Sequence, residues 1–480
     1  HRVDRRQRQM CIRDSLCAII ALLYIMQIDI GIQYSKLHTD NQKLLQALRS
    51  LYSFSVPGSA YTPAGRSGRW DGKTNFITVL GKFRTGLLPR ILEDLKRIEC
   101  EPTLNYTYDR NLITPENWKI DGYTLRDYQE EAVLVGVSNH RAVIQAPTGA
   151  GKTLIMAAII KALQGRKITL LFDAKHLLTQ TYKFLTDTCG IDNVGLCYGE
   201  GYIYGDIMLC TVQSIEHILD THLEETEVLM VDECHKFANG TQRLAAIKSF
   251  PNAQYRLGFT ATVPRESIPL YNLEGALGKT HKVRTTKDLV EEGHLTKPSI
   301  QMLSMDQPKE NYQGYSYNDM YEVLIVENEE RNQKIVDIVN NIRSNHDNAR
   351  ILILVNRLEH GQNLQSLLEG SCFYLRGEDD IGERYSTIRR FVSCPESSVL
   401  LGTRILETGV DIREITHFIN ARGLKSPIAT IQALGRSLRL HDNKDQVFIY
   451  DFMDRGRYLA EHSRKRYNTY KKEGHEVEIL

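Results

Sequence analysis

Three short stretches hold the residue types needed to break a phosphoanhydride bond. The first, Ala146–Thr153, follows an apolar run and ends in Gly151, Lys152 and Thr153. In a strand–loop–helix setting the backbone N–H groups of Thr148, Gly149, Ala150, Gly151, Lys152 and Thr153 would point at phosphate oxygens, helped by the helix dipole. Lys152 would neutralise the β- and γ-phosphates, and Thr153 would hold magnesium. Position 146 is Ala where the strict phosphate-loop pattern has Gly. The second stretch, Asp232-Glu233, closes the apolar run Val228–Val231. Carboxylates at the carboxyl end of a parallel strand face the ligand side of an open α/β sheet. Asp232 is expected to coordinate magnesium, mostly through water, and Glu233 to orient and deprotonate the attacking water. The third stretch places Gln432, Arg436 and Arg439 on one face of a helix. From across a cleft, Arg436 and Arg439 would act as arginine fingers on the γ-phosphate, worth about three to five orders of magnitude in nucleotide hydrolases. ATP and Mg2+ are therefore the expected cofactors. A chance loop, a solvated acidic turn and a basic surface helix are the plain alternatives. The order of all three, with Thr260-Ala261-Thr262 between the second and third, argues for an ATP-driven motor.

These groups need strands to carry them. Apolar runs at Ala142–Ile144, Ile168–Phe172, Ile207–Cys210, Val228–Val231 and Tyr255–Phe259 alternate with helical segments, which predicts a parallel sheet covered by helices. The pattern recurs at Ile351–Val355, Cys372–Leu375, Val399–Leu401, His417–Ile419 and Val447–Tyr450. Lys287–Leu295 and a turn at Lys297-Pro298 are expected to form the hinge between the two. Before them, residues 26–115 read as a small α+β module. Its expected elements are a strand over Gln27–Ile32, a helix over Asp40–Tyr52, a strand over Phe76–Leu80 and a helix over Leu87–Ile98, with Asn105–Glu116 as the exit linker. The domain expectation is 1–25 as an artefactual or disordered extension, 26–115, 116–285 and 286–480.

The bulk numbers suit a globular protein of about three domains at 480 residues. Nine cysteines show no CxxC pair and no zinc-ligand spacing, which fits free thiols in a reducing compartment. The chain begins with His1, and Met10–Ser15 reads like translated sequencing adaptor, so Met26 is a plausible start. A signal peptide is the literal alternative, but the run Leu16–Met26 is too short to span a bilayer. The formal charge of +1 becomes −2 without the five Arg and two Asp of residues 1–25, so any nucleic-acid surface must be local.

Residues from about 122 to 455 resemble the core of superfamily-2 helicases. The resemblance implies an α/β fold of tandem RecA-like parallel-sheet domains, preceded by the small α+β N-terminal DNA-binding domain. Leu125–Gln129 resembles the adenine-reading motif, with Gln129 as the base contact. Lys175–Thr181 and Thr211–Ser214 resemble strand-contacting motifs, bringing in Thr211 and Gln213. Thr260-Ala261-Thr262 resembles the motif that couples hydrolysis to movement, and His235 is expected to link the ATP site to Thr260 or its neighbours, with Thr262 and Gln432 in the same coupling set. Leu354–Arg357 and Gly402–Asp411 resemble contacts of the second domain: Arg357 and Thr403 toward the strand, Gly409 and Asp411 toward ATP.

Outside the core, Gly68–Gly72 with Gly86–Pro89, and the tail from Asp451, resemble the recombination helicases of T-even phages. That resemblance implies an ATP-dependent DNA helicase for branched substrates: forks, four-way junctions, D-loops or R-loops. It further implies single-stranded and branched DNA as partners, RNA within R-loops, no membrane, a monomer, and the cytoplasm of the host cell. An RNA-directed ATPase and a DNA translocase without strand separation remain the alternatives. In the N-terminal module Arg66, Arg69, Lys73, Lys82 and Arg84 surround Trp70; they could meet phosphates while Trp70 stacks on a base, or Trp70 could be core. The basic run Arg455, Arg457, Arg464, Lys465, Arg466, Lys471 and Lys472 could touch DNA or form a solvated face.

Overall fold

The computed structural model describes residues 26–110, 118–239, 241–307, 312, 314–403, 412–425, 438, 440–441 and 444–480. The expected extension 1–25 lies outside them. The chain divides into two compact units: the residues up to Ala146 with Lys152–Val283, and Pro147–Gly151 with Arg284–Leu480.

The first unit opens with the α+β module. Strand β1 (Met26–Ile30) alternates buried and exposed residues and lies inside a four-stranded sheet, β5-β2-β1-β6, with β2 Tyr34–Thr39, β5 Lys82–Arg84 and β6 Thr103–Tyr106, while β3 Ser53–Ser55 and β4 Lys73–Asn75 pair separately. Helix α1 (Gln42–Leu51) starts where the Asn41 side chain accepts the Leu44 N–H, and it buries Leu44, Leu45 and Leu48. Helix α2 (Leu88–Lys96), with Pro89 in its first turn, buries Leu88, Ile91 and Leu95. These leucines and isoleucines close over Ile28, Ile30, Leu37 and Phe83 in one apolar core.

Two expectations for the module change. Phe76–Leu80 is not a strand. Ile77 is buried and bridges to Phe83, and Phe76 packs against the core, while Val79 and Leu80 are exposed in a turn closed by the Gly81 N–H to Thr78 O bond. The run is apolar, but the hairpin to β5 needs a turn there. The expected linker also begins too early, because Asn105 and Tyr106 complete β6, parallel to β1.

The rest of the first unit is built on an eight-stranded sheet, β10-β9-β11-β8-β12-β13-β7-β14. Its central strands are β7 Arg141–Gln145, β8 Ile168–Phe172, β11 Ile207–Thr211, β12 Val228–Val231 and β13 Tyr255–Thr260, all parallel. The β12 strand is buried on both faces, which is why it reads as an unbroken apolar run. Strands β9 (Val194–Tyr198), β10 (Gly201–Ile203) and β14 (Thr280–Lys282) lie toward the sheet edges and were not anticipated.

The module is seated on this sheet's helix Ser267–Leu277. Glu274 of that helix is wholly buried, and Arg90 donates to both its oxygens, through Nε to Oε2 and through Nη2 to Oε1 at 2.9 Å. Tyr271 enters a ring of Tyr52, Phe54 and Phe76 at centroid distances of 5.6, 4.7 and 5.4 Å. Gly86 passes so close that a Cβ there would collide with the carbonyl oxygens of Glu274 and Gly275.

The second unit is a seven-stranded sheet, β17-β18-β16-β19-β20-β15-β21, with every pair parallel. Its strands are β15 Lys297–Ser304, β16 Arg350–Leu354, β17 Cys372–Leu375, β18 Ser398–Gly402, β19 His417–Asn420, β20 Gln446–Met453 and β21 Val477–Ile479. Lys297-Pro298 is therefore the start of a strand, not a turn. Proline is tolerated because β21 covers only Ile300–Met302, so its missing N–H removes no bond on that side. The first residues of the expected hinge, from Lys287, fall in a helix, Thr286–Glu291, capped by Thr285 and Asp288.

The basic tail is a helix, Leu459–Lys472, and one of its cations is not on the surface. Arg466 is buried with Asp451 at 3.0 Å and Asp454 at 3.2 Å, and Asp454 also takes Arg331 at 2.8 Å. The reading of the whole run as a surface face is corrected at this residue. No helix of the described residues is long and apolar enough to cross a membrane.

Candidate active site

Strands β12, β13 and β7 are neighbours, so the sheet alone brings three motifs together at their carboxyl ends. The phosphate loop follows β7 and runs into the helix Lys152–Ala162. Gly149 and Gly151 have φ of 88° and 79°, a left-handed backbone that glycine adopts without strain. The Ala146 N–H donates to Thr260 O at 3.0 Å, which ties the loop's first residue to the end of β13. Lys152 extends back over the loop, its Nζ 3.4 Å from Ala146 O. Thr153 lies in the first turn of the helix, where unpaired N–H groups favour an anion.

Asp232 and Glu233 follow β12. Glu233 adopts φ 45°, a left-handed backbone rare for a side chain of this size, and such strain of about 1–3 kcal/mol collects at functional sites. Its carboxylate Oε2 lies 3.3 Å from His235 Nδ1. The same nitrogen is 2.8 Å from Thr260 Oγ1. Thr260 spends its hydroxyl proton on Thr262 O at 2.8 Å and accepts the Thr262 N–H at 3.2 Å. The His235 proton therefore belongs on Nδ1 and is donated to Thr260, with the Glu233 carboxylate beside the same nitrogen as a charge neighbour. A continuous polar path runs from the carboxylate through the imidazole to the threonine motif.

The charges are uneven. Burial, then the neighbouring Glu233 charge, hold the Asp232 carboxyl well above the usual carboxylate range. Burial also penalises Glu233, but His235, Lys152 and Lys236 outweigh it and keep that carboxylate charged. An acid held protonated by crowding suits a position beside a cation, where it would regain its charge. Cys234 is buried and pushed well above the usual thiol range, first by burial and then by both carboxylates, so it is no nucleophile.

The remaining anticipated residues are placed as follows. Gln129 is buried and its side-chain oxygen accepts the Arg126 N–H as a helix cap. Thr211 is buried and donates to Ser214 Oγ at 3.1 Å, while Gln213 is exposed. Arg357 is exposed beyond the end of β16, and Thr403 follows β18 half-buried. In the module Arg69 is exposed and Trp70 half-buried, its indole N–H on Lys73 O at 2.9 Å and outside the apolar core. Gly409, Asp411, Gln432, Arg436 and Arg439 lie outside the described residues.

Sequence reading missed Asp173. It follows β8 and takes both Lys236 at 3.1 Å and Arg243 at 2.7 Å, fixing the turn after His235. Its only signal was an acid at the end of an apolar run.

Two family profiles match the chain: "Type III restriction enzyme, res subunit" over residues 122–265 and "Helicase conserved C-terminal domain" over residues 330–441. The chain has a superfamily-2 helicase core. This helicase is 24% identical over 440 residues to the ATP-dependent DNA helicase UvsW of Enterobacteria phage T4, covering 85% of this chain and 86% of that protein. It is also 24% identical to the putative DNA 3'-5' helicase Rad25 of Halobacterium salinarum, covering 78% of this chain but only 61% of the relative. Among solved structures it superposes on the Saccharomyces cerevisiae Dbp5 complex with RNA and ADP BeF3 at a TM-score of 0.53 and 15% identity, over 74% of this chain and 89% of that one. That likeness shows the tandem RecA-like fold. The helicase core makes the protein an ATP-hydrolysing enzyme.

Proposed function

We propose that the protein is an ATP-dependent DNA helicase that translocates on DNA and remodels branched substrates such as forks, four-way junctions, D-loops and R-loops. The observation that carries the motor reading is the path Glu233–His235–Thr260 at the ends of adjacent strands. It gives the hydrolytic carboxylate a physical link to the motif that would answer to nucleic acid.

In this reading the glycine-shaped loop cradles the ATP phosphates and Lys152 offsets their charge. Glu233, charged and held by His235, takes a proton from the attacking water. Thr153 and Asp232 fit a magnesium ion, which usually keeps several waters and needs one or two protein oxygens plus phosphate. When bound, that ion supplies charge neutralisation at the β- and γ-oxygens. Arg436 and Arg439 are assigned to the γ-phosphate, and Gln129 to the adenine.

Branched DNA as the substrate is supported by the similarity to UvsW and by Arg69, Lys73 and Lys82, exposed on the module. That relative is a phage protein, which supports work in the cytoplasm of a host cell.

ATP hydrolysis by the full chain decides the reading, measured without nucleic acid and with single-stranded DNA, a four-way DNA junction, or RNA. The expected order is junction, then single strand, then RNA. Greatest stimulation by RNA would make the protein an RNA-directed ATPase. Strong DNA stimulation without strand separation would make it a translocase.

A further inference from the structure

Beside the Glu274 contact, the module and the eight-stranded sheet meet again, and the charge there has one sign. A cleft of about 20 Å³ is lined from the module by Gln33, Tyr34 and Arg84, and from the sheet side by Arg141, Lys248 and Arg256. Among the described residues no carboxylate lines it. Lys248 is exposed at its mouth, whereas Arg256 is buried.

The acceptors around the cleft are already spent. Arg256 donates through Nε to Ala253 O at 3.1 Å, through Nη1 to Ile247 O at 2.8 Å, and through Nη2 to Phe250 O. Gln33 Nε2 donates to Lys248 O at 3.0 Å and Phe250 O at 3.2 Å. Arg141 Nη2 donates to Ile32 O. Glu274, next in sequence to Gly275, is taken by Arg90 and by the Thr280 N–H at 3.1 Å. Arg84 Nη1 is buried and has no acceptor among the described residues. Its stem is held in place, because a Cβ on Gly275 would stand 3.3 Å from both Cβ and Cδ of Arg84. Carbonyls satisfy N–H groups but do not cancel charge, and a buried cation without a counter-charge is costly. Burial is the main cause lowering Arg84, Arg141 and Arg256 from the usual arginine value, and the charges of Arg141 and Arg84 depress Arg256 further.

We infer that this cleft binds a monatomic anion of the halide class, such as chloride, with Arg84 Nη1 as its donor and the Arg141 and Arg256 charges around it. The volume suits one water-sized particle, so sulfate or a phosphate group is too large. A water molecule has the right size but brings no charge. The anion fastens the module to the sheet, since Arg84 comes from one and Arg141 and Arg256 from the other. The site involves neither the phosphate loop nor DNA, so it stands apart from the motor reading.

Chlorine NMR line broadening on the full chain tests the site, with ADP and magnesium present to fill the phosphate loop. The chloride line is expected to broaden with protein, to sharpen as bromide competes, and to stay broad when sulfate is added. Arg84→Gln removes the donor and one charge and should lose most of the broadening, whereas exposed Arg464→Ala should keep it. In thermal unfolding, replacing gluconate by chloride at constant ionic strength should raise the wild-type Tm by about 2–4 °C at saturation, and Arg84→Gln should lose that rise. Wild-type crystals grown in bromide keep the test decisive even if the variant fails to fold. An anomalous peak is expected at hydrogen-bond distance from Arg84 Nη1. No peak there, equal broadening in Arg84→Gln and wild type, or equal competition by sulfate overturns the site and leaves the cleft to water.

Discussion

At the scale of single residues, the imidazole of His235 is the informative group. Its Nδ1 serves a carboxylate and a hydroxyl that belong to different motifs. Removing it should separate two properties that usually fall together. His235→Ala is expected to hydrolyse ATP with weakened dependence on DNA and to lose strand separation. In a double-mutant cycle with Thr260→Val, DNA-stimulated rates should show a coupling of about 1–2 kcal/mol, and strict additivity would mean that the path carries nothing. Lys152→Ala should lower hydrolysis at least about a hundredfold while DNA binding persists. Full activity in that variant would remove Lys152 from the site. The types and spacing around Lys152 and Asp232 were legible because each motif is contiguous. The Nδ1 tautomer was not, because it depends on where Thr260 spends its own proton.

Among the elements, the C-terminal helix and the helix Ser267–Leu277 carry consequences that their sequences do not announce. Arg466 sits in a run of surface-like cations yet neutralises two buried acids. Arg466→Ala would leave those charges uncompensated, with an expected loss of about 3–5 kcal/mol in denaturant unfolding. Exposed Arg464→Ala should change stability by no more than about 0.5 kcal/mol. Equal effects of the two would refute the buried network. The helix Ser267–Leu277 begins five residues beyond Thr262 and is gripped by the N-terminal module through Glu274 and Tyr271. Gly86→Ala should push the module off this seat and make the module itself easier to cleave in limited proteolysis, with the eight-stranded sheet intact. Unchanged cleavage would show that the seat yields without release.

Across the whole molecule, buried histidines should set the acid limit of stability. Burial is the main cause lowering His140, His417 and His475 to about 4 and His360 to about 3. An unfolded histidine titrates near 6.5. The folded protein therefore binds fewer protons between these values. The contribution is complete above about pH 6.5 and is lost as pH falls toward 4, at up to about 1.4 kcal/mol per pH unit for each group. The Tm should drop steeply between pH 6.5 and 5, and His360→Gln should flatten the slope. A slope unchanged in that variant would show that His360 takes no part in the acid loss.

Local patterning alone determined the chemistry and most of the strands. A phosphate loop, an acidic pair and a threonine motif are each a few consecutive residues, and strands buried on both faces must be apolar runs, as β8 and β12 are. The edge strands β10 and β14 are three residues each, too short to carry a pattern. Tertiary structure decided which motifs touch. His235 and Thr260 are separated by 25 positions and meet at 2.8 Å only because β12 and β13 pair in parallel with a fixed register. The seat of the module on Glu274, the burial of Arg466 and the strand role of Pro298 likewise follow from neighbours distant in sequence. A hydrogen bond or buried charge is worth making only once those neighbours have arrived.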